Sequence, residues 1–205
     1  MDLSETISAL QPGEMKTIIS ATVEKPKRDL QLLPLVYHPS PILNEECFEI
    51  PAVTEDIVWL AKDMLFTMMK RHGVGLAAPQ VGHSLRLFVV DVGWVRGIEH
   101  SDPKVFINPR VTPASPSQDR APAEISSTEG CLSFPGTKAT LPRYEVVHVH
   151  ALGIDGRPFE LYADELLGRV VQHENDHLNG VTIHPHLGRM QRQELRKGLE
   201  KARRG

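Results

Sequence analysis

The chain has 205 residues, 40% hydrophobic and 24% charged, with a formal net charge of −3. That length suits one domain with a sizeable core, and the balance is ordinary for a soluble globular chain. The charge argues against a protein whose whole surface binds nucleic acid, so DNA is not an expected partner, and no apolar run approaches the length of a membrane span.

The N-terminus, Met1-Asp2-Leu3-Ser4-Glu5-Thr6-Ile7, carries acids where a secretory signal carries Lys or Arg, and no apolar stretch follows. A cytoplasmic protein is expected. Residues 1–32 are of mixed polar character and end in the charged run Glu24-Lys25-Pro26-Lys27-Arg28-Asp29, which predicts an N-terminal arm ahead of a single domain over 33–205. The two cysteines, Cys47 and Cys131, are expected to stay reduced.

Thr54 is a candidate cap for a helix in which Ile57, Leu60, Ala61, Met64, Leu65 and Met68 recur at helical spacing, with Gly73 as its stop. Met64, Met68 and Met69 at that spacing read as core packing rather than a binding groove. A glycine-rich block, Gly73-Val74-Gly75-Leu76-Ala77-Ala78-Pro79-Gln80-Val81-Gly82, comes next. Residues 86–92, 104–108 and 145–151 are rich in Val, Ile and Phe and read as strands. The Pro- and Ser-rich stretch 112–122 reads as an exposed loop. His148 and His150 lie two apart, on one strand face that is expected to be partly exposed.

Gln172-His173-Glu174-Asn175-Asp176-His177 places two imidazoles four residues apart on one helical face, where both can reach a single metal ion. Glu174 is rotated by about 100° from His173, so it need not be a ligand and is free to move a proton. Leu166, Val170, His173 and His177 form one stripe, and Gly180 supplies a stop. The final segment, 189–204, reads as a basic helix carrying Arg189, Arg192, Arg196, Lys197, Lys201, Arg203 and Arg204, a pattern that usually marks a solvated face.

The third ligand has several candidates. A His three residues beyond Gly180 would complete one known pattern, but Ile183 stands there and His184 comes one residue late. Glu194 and Glu200 lie in the basic run. Cys131, in Glu129-Gly130-Cys131-Leu132-Ser133, is a soft ligand, although a cysteine alone is more often a small buried hydrophobe.

The three blocks, in this order, resemble the peptide deformylase family, which is marked by GxGLAAxQ, EGCLS and QHExDHLxG, and the likeness spans roughly residues 33 to 200. It implies an α+β fold of small, mostly antiparallel sheets around a central helix carrying the HExxH, with a C-terminal helix. It implies Cys131, His173 and His177 as ligands of one divalent metal ion, Fe²⁺ natively, with Zn²⁺, Ni²⁺ or Co²⁺ as replacements in isolated protein. Three ligands leave one tetrahedral position open to water. The implied reaction removes the formyl group from N-formylmethionine at the N-terminus of new proteins. Glu174 moves the proton, and Gln80 and the backbone N–H of Leu132 stabilise the oxyanion.

By the same resemblance Val74, Gly75 and Gly130 bond the peptide main chain in a strand-like mode, and the expected localisation is the bacterial-type cytoplasm. Leu166 and Val170 are the best candidates for the methionine pocket, while Arg169 has no assigned role. Because the substrate is a nascent chain, the basic C-terminal helix is a candidate for contact with the ribosome. The rival readings are a general metallopeptidase and a non-catalytic module that binds peptide termini around a structural metal. The latter would want a fourth protein ligand, such as His184.

Overall fold

The computed structural model describes residues 28–93, 102–115, 117 and 120–204. Most of the predicted arm, residues 1–27, lies outside them. The elements run α1 (Glu55–Lys70), β1 (Gly75–Ala77), β2 (Leu87–Val90), β3 (Lys104–Ala114), β4 (Glu124–Cys131), β5 (Phe134–Tyr144), β6 (Val146–Leu152), β7 (Pro158–Asp164), α2 (Glu165–Leu178) and α3 (Arg189–Ala202). Every pairing among these strands is antiparallel, in a five-stranded sheet ordered β1-β2-β3-β6-β7 and a two-stranded sheet β4-β5. The architecture is α+β, as expected.

β2 explains how the layers form. Its four residues are all buried, because alternate side chains of a strand point to opposite faces and both faces are covered. Phe88 and Val90 pack with Val170, Val171 and Leu178 of α2, whereas Leu87 and Val89 pack with Met64 and Met68 of α1. Burying a residue such as Phe or Leu contributes roughly 1.5–3 kcal/mol. Met64 and Met68 are therefore core, not groove. A third cluster joins Phe134, Ala139 and Leu141 of β5 to Leu195 of α3.

The start of α1 follows Thr54 in extended backbone, but the Thr54 side chain makes no cap hydrogen bond; Glu55 and Asp56 in the first turn instead suit the positive end of the helix dipole. The helix stops at Lys70, earlier than Gly73, and His72 takes the left-handed turn at φ 56°. Residues 28–33 run along α1. Asp63 accepts hydrogen bonds from the Arg28 guanidinium (2.6 Å) and the Gln31 N–H (2.8 Å), and Thr67 Oγ1 accepts one from Leu33 N–H (2.8 Å). The last residues assigned to the arm are thus pinned to the domain.

β3 is longer than expected. Beyond Asn108 its residues Arg110–Ala114 pair with β6, so the exposed loop starts after Ala114 and not at Thr112. Past Ile107 the strand has β6 alone as a partner, a setting in which Pro113 is tolerated. Asn108 sits at the register shift with φ 49°, and its side chain bonds both Ile50 N–H and Ile50 C=O at 2.8 Å.

α2 ends at Leu178, and Gly180 follows at φ 69°, where an added Cβ would lie 2.7 Å from the Asn44 carbonyl carbon. Only glycine meets both demands, so the stop read at Gly180 has a packing reason as well.

Candidate active site

Helix α2 supplies His173 and His177, the end of β4 supplies Cys131, and the 3-10 turn Ala78–Val81 supplies Gln80. One donor atom from each of Cys131, His173 and His177 lies within 4.8 Å of the others. Cys131 Sγ is 3.2 Å from His177 Nε2. Both imidazoles are buried, with ring planes at 84°, so one cysteine sulfur and two rings converge from two elements. This soft-plus-borderline donor set fits a divalent transition metal.

Behind the ligands lies a charged lattice. Glu129 Oε2 sits 3.0 Å from His173 Nδ1, and Arg143 clamps Glu129 with two bonds of 2.9 Å while reaching Asp176 at 2.6 Å. Burial alone would raise the Glu129 carboxyl, but the bonds from His173 and Arg143 outweigh it and hold the group down at about 2. Burial would lower the His173 imidazole, but the bonds to Cys131 and Glu129 outweigh it and raise it well above its ordinary range; Glu129 accepts from Nδ1–H, and a metal ion would displace the proton from the other ring nitrogen. Burial pushes His177 well below the ordinary imidazole range, with the charges of His173 and Arg143 adding to it, so His177 is neutral.

Glu174 is 3% exposed. Burial pushes its carboxyl up to about 7, against the opposing charges of His173 and Arg143. Its Oε2 has no hydrogen-bond partner among the described residues. Its carboxyl packs on Gly75, where an added Cβ would collide with Glu174 and with Val170. Gln80 is fixed in turn: its Oε1 accepts from Ala77 N–H (2.8 Å), and its Nε2 donates to Cys131 Sγ and Ser133 Oγ, both at 3.3 Å.

The cleft in front of these groups has a volume of about 940 Å³. Val74, Gly75, Gly130, Leu132, Leu166 and Val170 all line it, so the structure gathers every site residue expected from the sequence into one place. Arg169 also lines it, and its guanidinium reaches Ser127 Oγ at 3.5 Å. His184 is not brought to the ligands; it stacks on His38 with centroids 4.4 Å apart. Glu194 lines the cleft but is not in the donor cluster.

Sequence reasoning did not single out Glu129, Ser133, Arg143 or Asp176 as site residues. Glu129 and Ser133 were in view, flanking Cys131. Arg143 carries no local signal, because it acts across the β4-β5 hairpin from Ile125 and reaches α2 only through the fold.

A buried HExxH helix, a cysteine brought beside it from a strand end and an open cleft define the class of protein: a metal-dependent hydrolase of α+β architecture. The family model for polypeptide deformylase matches residues 32–193. A peptide deformylase of Acinetobacter baumannii is 38% identical over 84% of this chain and 92% of its own length, and one of Clostridium botulinum is 44% identical over 68% of this chain and 85% of its own. The crystal structure of a Legionella pneumophila peptide deformylase superposes with a TM-score of 0.73 at 35% identity, over 85% of this chain and 96% of that one. The chain belongs to the polypeptide deformylase family. It is an enzyme of that family, a metal-dependent hydrolase that removes the formyl group from N-formylmethionine at the N-terminus of newly made proteins and releases formate.

Proposed function

We propose that Cys131, His173 and His177 hold one divalent ion, natively Fe²⁺, and that Glu174 moves the proton. The observation that carries this is the convergence of the three donor atoms within 4.8 Å beside a buried carboxyl that has no partner at Oε2 among the described residues. A bound divalent ion supplies Lewis acidity and water of lowered pKa. Cys131 suits Fe²⁺, and equally the Zn²⁺, Ni²⁺ or Co²⁺ that can replace it in isolated protein.

The formyl carbonyl lies between Gln80 Nε2 and the Leu132 N–H, whose donated hydrogen bonds stabilise the oxyanion. Glu174 takes a proton from the attacking water and returns it to the leaving amine. Its elevated carboxyl suits both directions of transfer near neutrality. The substrate main chain runs extended past Val74, Gly75 and Gly130. In support, β1 stands at one end of its sheet's strand order and β4 has only β5 beside it among the described residues, so each offers an edge to a peptide. The methionine side chain packs on Leu166 and Val170.

Residues 33–205 make up a single catalytic domain, with 1–32 as an N-terminal arm. The enzyme works in the cytoplasm; no helix among the described residues is long and apolar enough to cross a membrane. The basic side of α3 docks on ribosomal RNA near emerging chains. Of the α3 residues only Leu195 is buried, which leaves Arg189, Arg192, Arg196, Lys197 and Lys201 exposed. Removing 189–205 should weaken ribosome cosedimentation at low salt, and unchanged binding would dispose of the docking.

The test of the residue roles is formate release from formyl-Met-Ala-Ser by anaerobically purified protein beside Glu174→Ala. The wild type should release formate and leave the unformylated peptide intact, and the variant should release almost none while keeping its metal. A fully active Glu174→Ala enzyme would remove Glu174 from the chemistry.

A further inference from the structure

On the opposite side of the large sheet from α2, three further donors come together. Val147, Val149 and Ala151 of β6 point into the core, so His148 and His150 point out of the other face. β7 pairs in a register that sets Glu160 beside His150 and Tyr162 beside His148. As a result Glu160 Oε2 lies 3.3 Å from His148 Nε2 and also 3.3 Å from His150 Nδ1, and the three donor atoms are all within 4.8 Å of one another.

We propose that His148, His150 and Glu160 form a second metal site, which takes a borderline divalent cation such as Zn²⁺. Zn–N and Zn–O bonds of 2.0–2.2 Å in a tetrahedron put neighbouring donors about 3.4 Å apart, and the carboxylate oxygen already has that separation from both rings. A His–Glu contact on a sheet surface needs no metal to explain it, but two details point to a ligand. His148 Nε2 is shielded from solvent and, although 3.3 Å from the carboxylate, makes no hydrogen bond with it. The Tyr162 ring also stacks on the His148 ring at 4.3 Å and 13°, which fixes the imidazole with that nitrogen turned toward Glu160.

Two imidazoles and one carboxylate leave a fourth position facing water. Arg110, exposed and opposite His150 in β3, is the cation that an incoming metal must tolerate. The ion would tie β6 to β7, the strand that leads directly into the HExxH helix through Asp164.

The test uses enzyme whose catalytic centre is loaded with one equivalent of Ni²⁺. It is titrated calorimetrically with Zn²⁺, and both metals are then measured on the desalted protein. One further equivalent of Zn²⁺ should bind with nickel retained, and the melting temperature should rise with added Zn²⁺. The double variant His148→Gln, His150→Gln should lose that uptake and that rise, Glu160→Gln should weaken both, and formate release should be unchanged in all of them. Absence of Zn²⁺ uptake, uptake matched by loss of nickel, or uptake unaltered in the double variant would overturn the site.

Discussion

The Glu174 carboxyl rests on the backbone of Gly75, so close that a Cβ on Gly75 would overlap it. The HExxH helix and the edge strand β1 therefore meet at the one residue that has no side chain. Gly75→Ala must displace Glu174, Val170 or the strand, and a displacement of about 1 Å at a reacting group costs on the order of 10² in rate. The expected result is a fall of that size in kcat/KM with the metal retained. Metal analysis beside formate kinetics checks it, and near wild-type activity would show that Glu174 has room to move.

A different failure is expected one shell further out. Glu129 accepts from His173 Nδ1 and holds Arg143. Loss of such an outer partner usually costs 10–100-fold in metal affinity or activity. Glu129→Gln should thus lose metal to a chelator about 10–100 times more readily. Arg143→Ala takes two charge-assisted hydrogen bonds from the buried Glu129 carboxylate and leaves it only His173, at a cost of about 1.5–3 kcal/mol, or roughly 3–12 °C in melting temperature for a chain of this size. A melting temperature within a degree of wild type would show that Arg143 contributes nothing to the fold.

The two cysteines should separate by chemistry. Burial pushes the Cys47 thiol up, against lesser effects from Ser84 and Arg86. A raised thiol pKa means less thiolate at neutral pH and slower alkylation. Cys47 is 5% exposed whereas Cys131 opens onto the cleft. Metal-stripped protein treated with iodoacetamide at neutral pH should be labelled at Cys131 first, and restoring a divalent metal should protect it. Peptide mapping by mass spectrometry reads the outcome; preferential labelling of Cys47 would contradict both the burial and the ligand assignment.

What could be read from the sequence divides along physical lines. The α2 stripe and the α1 core face are local periodicities, so the sequence pattern alone places Met64, Met68, Val170 and His177. The hairpin β4-β5, like β1 and β7, is not placed this way, because it lacks the Val- and Ile-rich runs that mark β2, β3 and β6: its first strand is Glu124-Ile-Ser-Ser-Thr-Glu-Gly-Cys131, with only Ser127 buried. The continuation of β3 through Pro109 and Pro113 was missed for the opposite reason. Proline is a breaker by local rule, and only the pairing with β6 overrides it. Convergence of Cys131 with the HExxH rested on likeness to a family, since nothing in the spacing of residues 131 and 173 dictates a contact. The Glu129–Arg143–Asp176 lattice depends on tertiary pairing alone.

Gln80 offers the sharpest separation of binding from chemistry. Its Oε1 is occupied by the Ala77 N–H and its Nε2 points at Cys131 Sγ and Ser133 Oγ, so the amide cannot rotate without losing the Ala77 bond. The donor is thus held in place before substrate arrives, which is the condition for stabilising charge that appears only in the transition state. Gln80→Glu keeps the size of the side chain but replaces the donating amide with a carboxylate. Formate release should drop by about 10²–10³ in kcat with KM within a few-fold of wild type, because the group acts on the oxyanion rather than on the ground-state carbonyl. A loss expressed only in KM would make Gln80 a substrate-binding residue and would leave the oxyanion to the metal and the Leu132 N–H.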